Sequence, residues 1–260
     1  MSSRRFIAYA LVGMLAGVSC TRASATPSPV PAPPSVAPSP AAPAAPAEAQ
    51  DPGSVLPNGT FVARSKTHWL TIWRGPSTDA GKRWAFATRN AVGQPIEFLV
   101  AKTARDAHGD PWLRILLPIR PNGAAGWVRM GAVSVQKIQQ RIIVDLSAKT
   151  LRYYRNGHLQ HDFSVGIGRP ETPTAVGTFY VWAQVPQASP TGPYGVFALG
   201  LSGFSPVLTD WPGGGRMAIH GTANPGDRGQ MVSHGCIRVF NDDMATLRSV
   251  PLGTPVVIRA

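Results

Sequence analysis

The stretch Ser233-His234-Gly235-Cys236-Ile237-Arg238, together with His220-Gly221-Thr222 upstream, is where chemically capable residues converge in this 260-residue chain. Cys236 is one of only two cysteines. The other, Cys20, follows the apolar run of an apparent export signal, which makes it a poor disulfide partner for Cys236. A leftover thiol in an exported protein indicates either intermolecular pairing or reactivity. We interpret Cys236 as a reactive thiol.

The residues around this thiol suit acyl transfer. A thiol with a pKa of about 8.5 is mostly protonated at neutral pH and needs a base beside it. His220 lies 16 positions before Cys236, so the two can meet across neighbouring strands or a returning loop. His234 projects toward the same side as Cys236 if this stretch is extended. Gly235 allows a tight backbone and close approach of a carbonyl, and the N–H groups of Cys236 and Gly235 are candidate oxyanion donors. Arg238 has the planar donors that grip a carboxylate.

This pair of motifs resembles the signature of the L,D-transpeptidase catalytic domain, also called the YkuD-type domain. The resemblance extends from about residue 141 to residue 258. It includes Thr172-Pro173-Thr174, Gly177-Thr178-Phe179 and Gly253-Thr254-Pro255-Val256. It implies a mainly β fold, a β-sandwich with one or two short helices, in which the cysteine lies in a cleft.

The resemblance also implies a reaction and the residues that perform it. Cys236 would attack a peptidoglycan stem tetrapeptide between its third residue and the terminal D-Ala, and the thioester would pass to an amine of another stem or of a protein. His220 would be the general base, His234 and Gly235 would shape the oxyanion pocket, and Arg238 would order the site or hold a stem carboxylate. The implied set has catalytic residues Cys236, His220, His234 and Gly235 and substrate-binding residues Arg238, Ser233 and Gly221.

Other interpretations of the cysteine remain open from sequence. Cys236 can be a small buried hydrophobe, or one of three zinc ligands with His220 and His234, although no HExxH or CxxC pair is present. Water as the acceptor would make the protein an L,D-carboxypeptidase. A papain-like endopeptidase of the wall has its cysteine before its histidine and near a helix start, which is the reverse of the order here. A purely wall-attaching protein leaves the intact block unexplained. We expect no cofactor and no metal.

The N-terminal residues predict export. Residues 1–25 have a charged start, an apolar run over 6–18 and small residues, the layout of a signal peptide. Gly17-Val18-Ser19-Cys20 resembles a lipobox with Cys20 as the lipidated residue, whereas Ala23-Ser24-Ala25 would instead release a soluble protein. Residues 26–58 are rich in Pro and Ala, and we expect a disordered, semi-rigid linker.

These features place the protein in the cell envelope, either anchored to the membrane through an N-terminal lipid or released to the periplasm or wall. The formal charge of +12 then favours acidic wall polymers or anionic headgroups as surroundings over nucleic acid, and a solvated basic surface explains it equally well. We expect peptidoglycan stem peptides as the partner, no nucleic acid, and a monomer.

Residues 59–136 are predicted to form a small β domain. Short β-type runs such as Trp69-Leu70-Thr71-Ile72-Trp73 alternate with turn-forming combinations. Gly109-Asp110-Pro111-Trp112-Leu113 and Gly126-Trp127-Val128 resemble the second half of a bacterial SH3-like domain, which implies a small barrel. Its tryptophans are core residues or line a ligand groove.

Residues 138–260 form the predicted catalytic domain. A hairpin turns at Asn156-Gly157, because this pair readily adopts the positive φ angles of a two-residue turn. The Pro- and Gly-rich segment 184–215 is expected to line the substrate cleft, and a strand over 217–219 to deliver His220. A helix is predicted from Asn241 to about Arg248, followed by a closing strand over 255–259.

Overall fold

The computed structural model describes residues 59–260, all of which belong to one compact unit. The predicted signal peptide, the lipidation site Cys20 and the linker over 26–58 lie outside the described residues. Within 59–260 the structure contains no helix that is both long and apolar enough to cross a membrane. This part of the chain is mainly β, as predicted.

The N-terminal sheet comprises seven strands between residues 60 and 138. They are β1 (Thr60–Ser65), β2 (Trp69–Trp73), β3 (Lys82–Ala87), β4 (Glu97–Arg105), β5 (Pro111–Leu116), β6 (Ala125–Arg129) and β7 (Val133–Ile138). Their order is β3-β2-β6-β5-β4-β1-β7. Alternate apolar residues of these strands, such as Leu70, Ile72, Leu113 and Ile115, are fully buried in a shared core, because strand side chains point to opposite faces with period two. The SH3-like assignment of this sheet stays a prediction.

The C-terminal sheet comprises eight strands in the order β10-β9-β8-β17-β12-β13-β14-β16, and β11 pairs with β15 beside it. These strands are β8 (Gln140–Asp145), β9 (Thr150–Arg155), β10 (His158–Ser164), β11 (Ile167–Gly168), β12 (Gly177–Pro186), β13 (Phe197–Phe204), β14 (Arg216–Thr222), β15 (Met231–Ser233), β16 (Ile237–Phe240) and β17 (Pro255–Arg259). A separate apolar core covers this sheet. One short α-helix, α1 (Asn241–Thr246), follows β16.

Local sequence signals account for much of this architecture. Asn156 and Gly157 have φ angles of 52° and 79°, so the two-residue turn between β9 and β10 is confirmed. The predicted helix is shorter than expected, because α1 gives way to a 3₁₀ turn over Leu247–Ser249. Asn241 is the first residue of α1 and does not cap it; its side chain bonds to a distant loop instead.

The two sheets are joined by specific contacts. Tyr180 of β12 is fully buried in the core of the N-terminal sheet, and its hydroxyl lies 3.4 Å from the carbonyl of Leu116. Asn90 donates to the carbonyl of Trp182 at 2.8 Å. Since a buried tyrosine brings a large apolar surface with one polar group that must be satisfied, this contact ties β12 to the N-terminal sheet. We infer that the two sheets do not pack independently.

Candidate active site

A cavity of about 220 Å³ lies where β13 and β14 meet the Ser-His-Gly-Cys block. Cys236 and His234 are among the residues that line it. The residues that line the rest are Val185, Gln187, Tyr194, Ala198, Gly200, Leu208, Trp211, Gly215, Arg216, Met217 and Ala218. Segment 184–215 therefore lines the cleft, as predicted from its Pro and Gly content.

Cys236 and His220 are brought together by a parallel strand pair. In the register between β14 and β16, His220 pairs with Arg238 and Ile219 pairs with Ile237. Cys236 immediately precedes β16 and lies two residues before Arg238. The same register therefore places Cys236 beside Ala218, which lies two residues before His220. Residues two apart in a strand share a face. Cys236 and His220 are therefore diagonal neighbours on one face of the sheet, and the cysteine precedes a strand, not a helix.

The hydrogen bond of His220 decides which ring nitrogen can act as a base. His220 is 4% exposed, and its Nδ1 lies 2.9 Å from the carbonyl oxygen of Gly221. A carbonyl only accepts, so Nδ1 carries the proton and Nε2 is the basic nitrogen. Burial lowers the pKa of His220 to about 4, and the nearby Arg238 also lowers it. His220 is therefore neutral at pH 7.

The thiol is neutral as well. Burial raises the pKa of Cys236, while a backbone hydrogen bond with Ala218 and the charge of Arg238 oppose this rise. Burial penalises the charged form of each group, and so opposes a thiolate–imidazolium pair in the resting site. The arrangement suits a mechanism in which the proton leaves the thiol as the bond to the substrate forms.

The turn that presents the thiol is built by Ser233 and Gly235. Gly235 has a φ of 108°, a conformation that residues with a Cβ rarely adopt. The Ser233 hydroxyl is buried in the turn, where it accepts from the N–H of Gly235 at 3.1 Å and donates to the carbonyl of Cys236 at 2.5 Å. The N–H of Gly235 is thus already engaged, which makes the N–H of Cys236 the better oxyanion donor. Contact of Ser233 with substrate stays a prediction.

His234 lies at the cavity with an aromatic partner that the sequence did not single out. The side chain is exposed and stacks on Trp211, with ring centroids 5.0 Å apart and planes inclined by 25°. Trp211 is 45% exposed and also lines the cavity. The sequence signal for Trp211 is its position in a Pro- and Gly-rich segment. That segment alone does not show which of its residues meets His234.

Arg238 is held by a buried carboxylate that sequence reasoning missed. Asp227 is 3% exposed and accepts from Arg238 Nη1 at 3.2 Å and from Thr222 Oγ1 at 2.7 Å. Asn224 donates to the other oxygen of Asp227 at 2.9 Å. Arg238, like His220, is not among the cavity-lining residues, and its observed contacts join β16 to Asp227 beside His220. Its contact with a stem carboxylate stays a prediction.

Gly221 is packed too tightly for any side chain. A Cβ at this position would lie 2.5 Å from Asn241 Oδ1 and 2.9 Å from the backbone nitrogen of Val196. Asn241 accepts from Val196 and donates to the carbonyl of Pro190, which anchors the loop that carries Tyr194. The Tyr194 ring meets His220 edge-on, with centroids 5.1 Å apart. Gly221 therefore lets this loop close over the histidine.

Arg216 adds a positive charge to the cavity. Its guanidinium lies 3.9 Å from the Trp182 ring centroid and 4.3 Å from that of Phe204. It donates to the carbonyls of Leu201 at 2.9 Å and Pro118 at 3.2 Å. Burial lowers the pKa of Arg216 to about 10, so the side chain stays charged at neutral pH.

Residues 59–260 contain no cluster of three or more His, Cys, Asp and Glu side chains suited to hold a metal ion. The lone described cysteine is a free thiol.

Comparison with known proteins identifies the family of this chain. Residues 139–258 match the family model described as the YkuD L,D-transpeptidase catalytic domain. The L,D-transpeptidase YkuD of Bacillus licheniformis is 38% identical over 176 residues, which cover 64% of this chain and 94% of that protein. Its namesake from Bacillus subtilis is 37% identical over 122 residues, covering 46% of this chain and 66% of that protein.

Solved structures of similar proteins include the catalytic domain of an E. faecium L,D-transpeptidase. It is 28% identical and the match covers 46% of this chain and 96% of that one, with a TM-score of 0.35. The sequence relationships define the class of protein as an L,D-transpeptidase. The chain belongs to the YkuD family of L,D-transpeptidase catalytic domains.

Proposed function

We propose that Cys236 forms a thioester with peptidoglycan stem tetrapeptides and transfers the acyl group to an amine, either of a second stem, which makes a 3→3 crosslink, or of a protein. The observation that carries this proposal is the placement of the Cys236 thiol at a cavity, one strand away from a buried His220 whose Nε2 is the basic nitrogen. Family membership supports the reaction class.

In the first step the Cys236 sulfur attacks the carbonyl carbon of the third stem residue. The thiol proton moves to Nε2 of His220 as the C–S bond forms, and the carbonyl oxygen takes the negative charge. The N–H of Cys236 donates to that oxygen. When the C–N bond breaks, His220 returns the proton to the departing amine, and D-Ala leaves.

In the second step an acceptor amine attacks the thioester. His220 takes a proton from the amine, the C–S bond breaks, and the sulfur regains a proton from His220. Both steps begin and end with neutral groups, which agrees with the raised pKa of Cys236 and the lowered pKa of His220. Charge is created only in the tetrahedral intermediate and in the transition states on either side of it, where a fixed donor contributes most.

The surroundings of the site support a role for each remaining residue. Trp211 and His234 stack on each other at the cavity that contains the thiol, and Tyr194 meets His220 edge-on. Arg238 orders the strand through Asp227. We place the enzyme in the cell envelope, with the predicted signal peptide and linker carrying the catalytic unit toward the wall.

The test is incubation of the purified protein with disaccharide tetrapeptide, followed by mass analysis of protein and products. An adduct on Cys236 that has lost D-Ala, together with 3→3 dimers, is the expected result. Release of D-Ala with tripeptide as the only product would make the protein an L,D-carboxypeptidase. Unchanged tetrapeptide and unmodified protein would refute the proposal, and the Cys236→Ser variant provides the matched control.

A further inference from the structure

We propose that Arg120 and Asn122, in the β5–β6 loop of the N-terminal sheet, are positioning residues for the active site. They hold the cleft segment, defined here as residues 205–215, which places Trp211 against His234. The N-terminal sheet would then be a working part of the catalytic cleft. The catalytic consequence rests on the proposed function, whereas the structural consequence does not.

Arg120 bonds to three backbone carbonyls of the cleft segment. Nη1 donates to Ser205 at 2.9 Å, and Nη2 donates to Leu208 at 3.0 Å and to Gly214 at 2.9 Å. The three acceptors lie near the beginning, the middle and the end of the segment. A planar guanidinium presents its donors in a fixed geometry, so one side chain closes the segment into a defined loop.

Asn122 fixes the chain just before the cleft segment. Its Nδ2 donates to the carbonyl of Phe204 at 2.8 Å, and its Oδ1 accepts from the N–H of Phe204 at 2.9 Å. The amide side chain thus pairs with Phe204 as a neighbouring strand would. Arg120 also lies over the Phe204 ring, 4.9 Å from its centroid. The end of β13 is therefore held from the N-terminal sheet.

The cleft segment in turn forms part of the active site. Leu208, Trp211 and Gly215 line the cavity that contains Cys236. The stack between Trp211 and His234 joins the segment to the Ser-His-Gly-Cys block. The segment is rich in glycine and carries no α-helix or β-strand of its own, so its position depends on contacts such as those with Arg120.

The first test measures the cleft segment itself by amide hydrogen exchange of the full-length protein. In Arg120→Ala, the amides of Ser205, Gly214 and Gly215 should exchange at least tenfold faster than in the parent protein. Arg105→Ala is the matched control, because Arg105 bonds only to Gly109 within its own turn. Unchanged exchange in Arg120→Ala would overturn the proposal, whether or not the protein has transpeptidase activity.

The second test measures formation of the Cys236 adduct with disaccharide tetrapeptide. Arg120→Ala and Asn122→Ala should each lower kcat/KM for acylation about tenfold, while Arg105→Ala leaves it unchanged. Arg120→Lys should recover only part of the loss, because an ammonium lacks the planar donors that reach three carbonyls. A thermal melt of each variant shows that it is folded.

Combination with Trp211→Ala separates positioning from a general effect on stability. If Arg120 acts through Trp211, adding Arg120→Ala to Trp211→Ala should cost less than twofold further. A full tenfold loss in that background would overturn the proposed route. If the parent protein forms no adduct at all, the proposed function fails, and the exchange experiment still decides whether Arg120 holds the segment.

Discussion

His220 pairs with Arg238 in the parallel ladder between β14 and β16, and this register places Cys236 one step away on the same face of the sheet. The relationship explains how residues 16 positions apart in sequence share a site. His220 is buried and Cys236 is half-buried there, and burial shifts their pKa values in opposite directions.

The low pKa of His220 predicts an acid-sensitive fold. The pKa is about 4 in the folded protein against about 6.5 in an unfolded chain. The unfolded state therefore binds more protons between these values, and stability is lost as the pH falls through 6.5 toward 4. We expect the His220 contribution to the free energy of unfolding to fall by about 2 kcal/mol between pH 7 and pH 4.5.

Urea unfolding at these two pH values measures this loss. The His220→Gln variant cannot titrate at this position, so its acid loss should be smaller than that of the parent protein by about the same 2 kcal/mol. An equal acid loss in both proteins would show that His220 is not the group responsible.

The raised pKa of Cys236 predicts slow alkylation at neutral pH. A thiolate–imidazolium pair would react at a constant rate from mildly acidic pH upward. Here the rate with iodoacetamide should rise steadily with pH and still be rising at pH 9, because the thiol pKa lies above its ordinary value. Mass spectrometry of proteolytic peptides measures the alkylation of Cys236 separately from that of Cys20. A plateau below pH 8 would contradict the neutral pair.

Asp227 should be essential to the fold as well as to the site. Asp227→Ala leaves Arg238, which is partly buried, without its carboxylate, and breaking such a pair costs about 3–5 kcal/mol. Asp162→Ala is the matched control, because both side chains of the Asp162–Arg152 pair are exposed. Such a pair should contribute less than about 1 kcal/mol to the free energy of unfolding. Denaturant unfolding of the two variants gives both values. Similar losses for the two would show that Asp227 has no special role.

Gly221→Ala should displace the loop that covers His220. The added methyl group meets Asn241 Oδ1 and the Val196 nitrogen, and overpacking of this kind costs about 1–3 kcal/mol. Gly131→Ala is the control, because a Cβ there has no atom within 4 Å. The temperature of thermal unfolding and the rate of Cys236 acylation should both fall in Gly221→Ala and stay unchanged in Gly131→Ala. If Gly221→Ala behaves like Gly131→Ala, the loop does not depend on this close contact.

Much of the secondary structure could be predicted because it follows from local patterns of residue types in the sequence. Trp69–Trp73 and Pro255–Arg259 were predicted as strands with these boundaries from β-branched and aromatic runs between turn residues. The Asn156-Gly157 turn followed from the φ preferences of two residues. The end of the helix was wrong by two residues, because the transition to a 3₁₀ turn has no strong local signal.

The family was also predictable from sequence. A lone thiol, a histidine upstream and a glycine before the cysteine suit acyl transfer, which stays a prediction, and the block's resemblance to the YkuD signature named the family that the comparisons confirm. Residue identity determines which groups can react, so the sequence by itself determined the family and a set of candidate residues.

Only the tertiary structure decided how those residues are arranged. Asp227 and Trp211 have no distinguishing neighbours in sequence, and they became significant because folding places them against Arg238 and His234. Arg120 lies in a different sheet, 85 positions before Ser205. Hydrogen bonds and aromatic contacts depend on distances of a few ångströms, and these are set by strand register and loop packing across the whole unit. Such long-range pairings leave no local pattern in the chain.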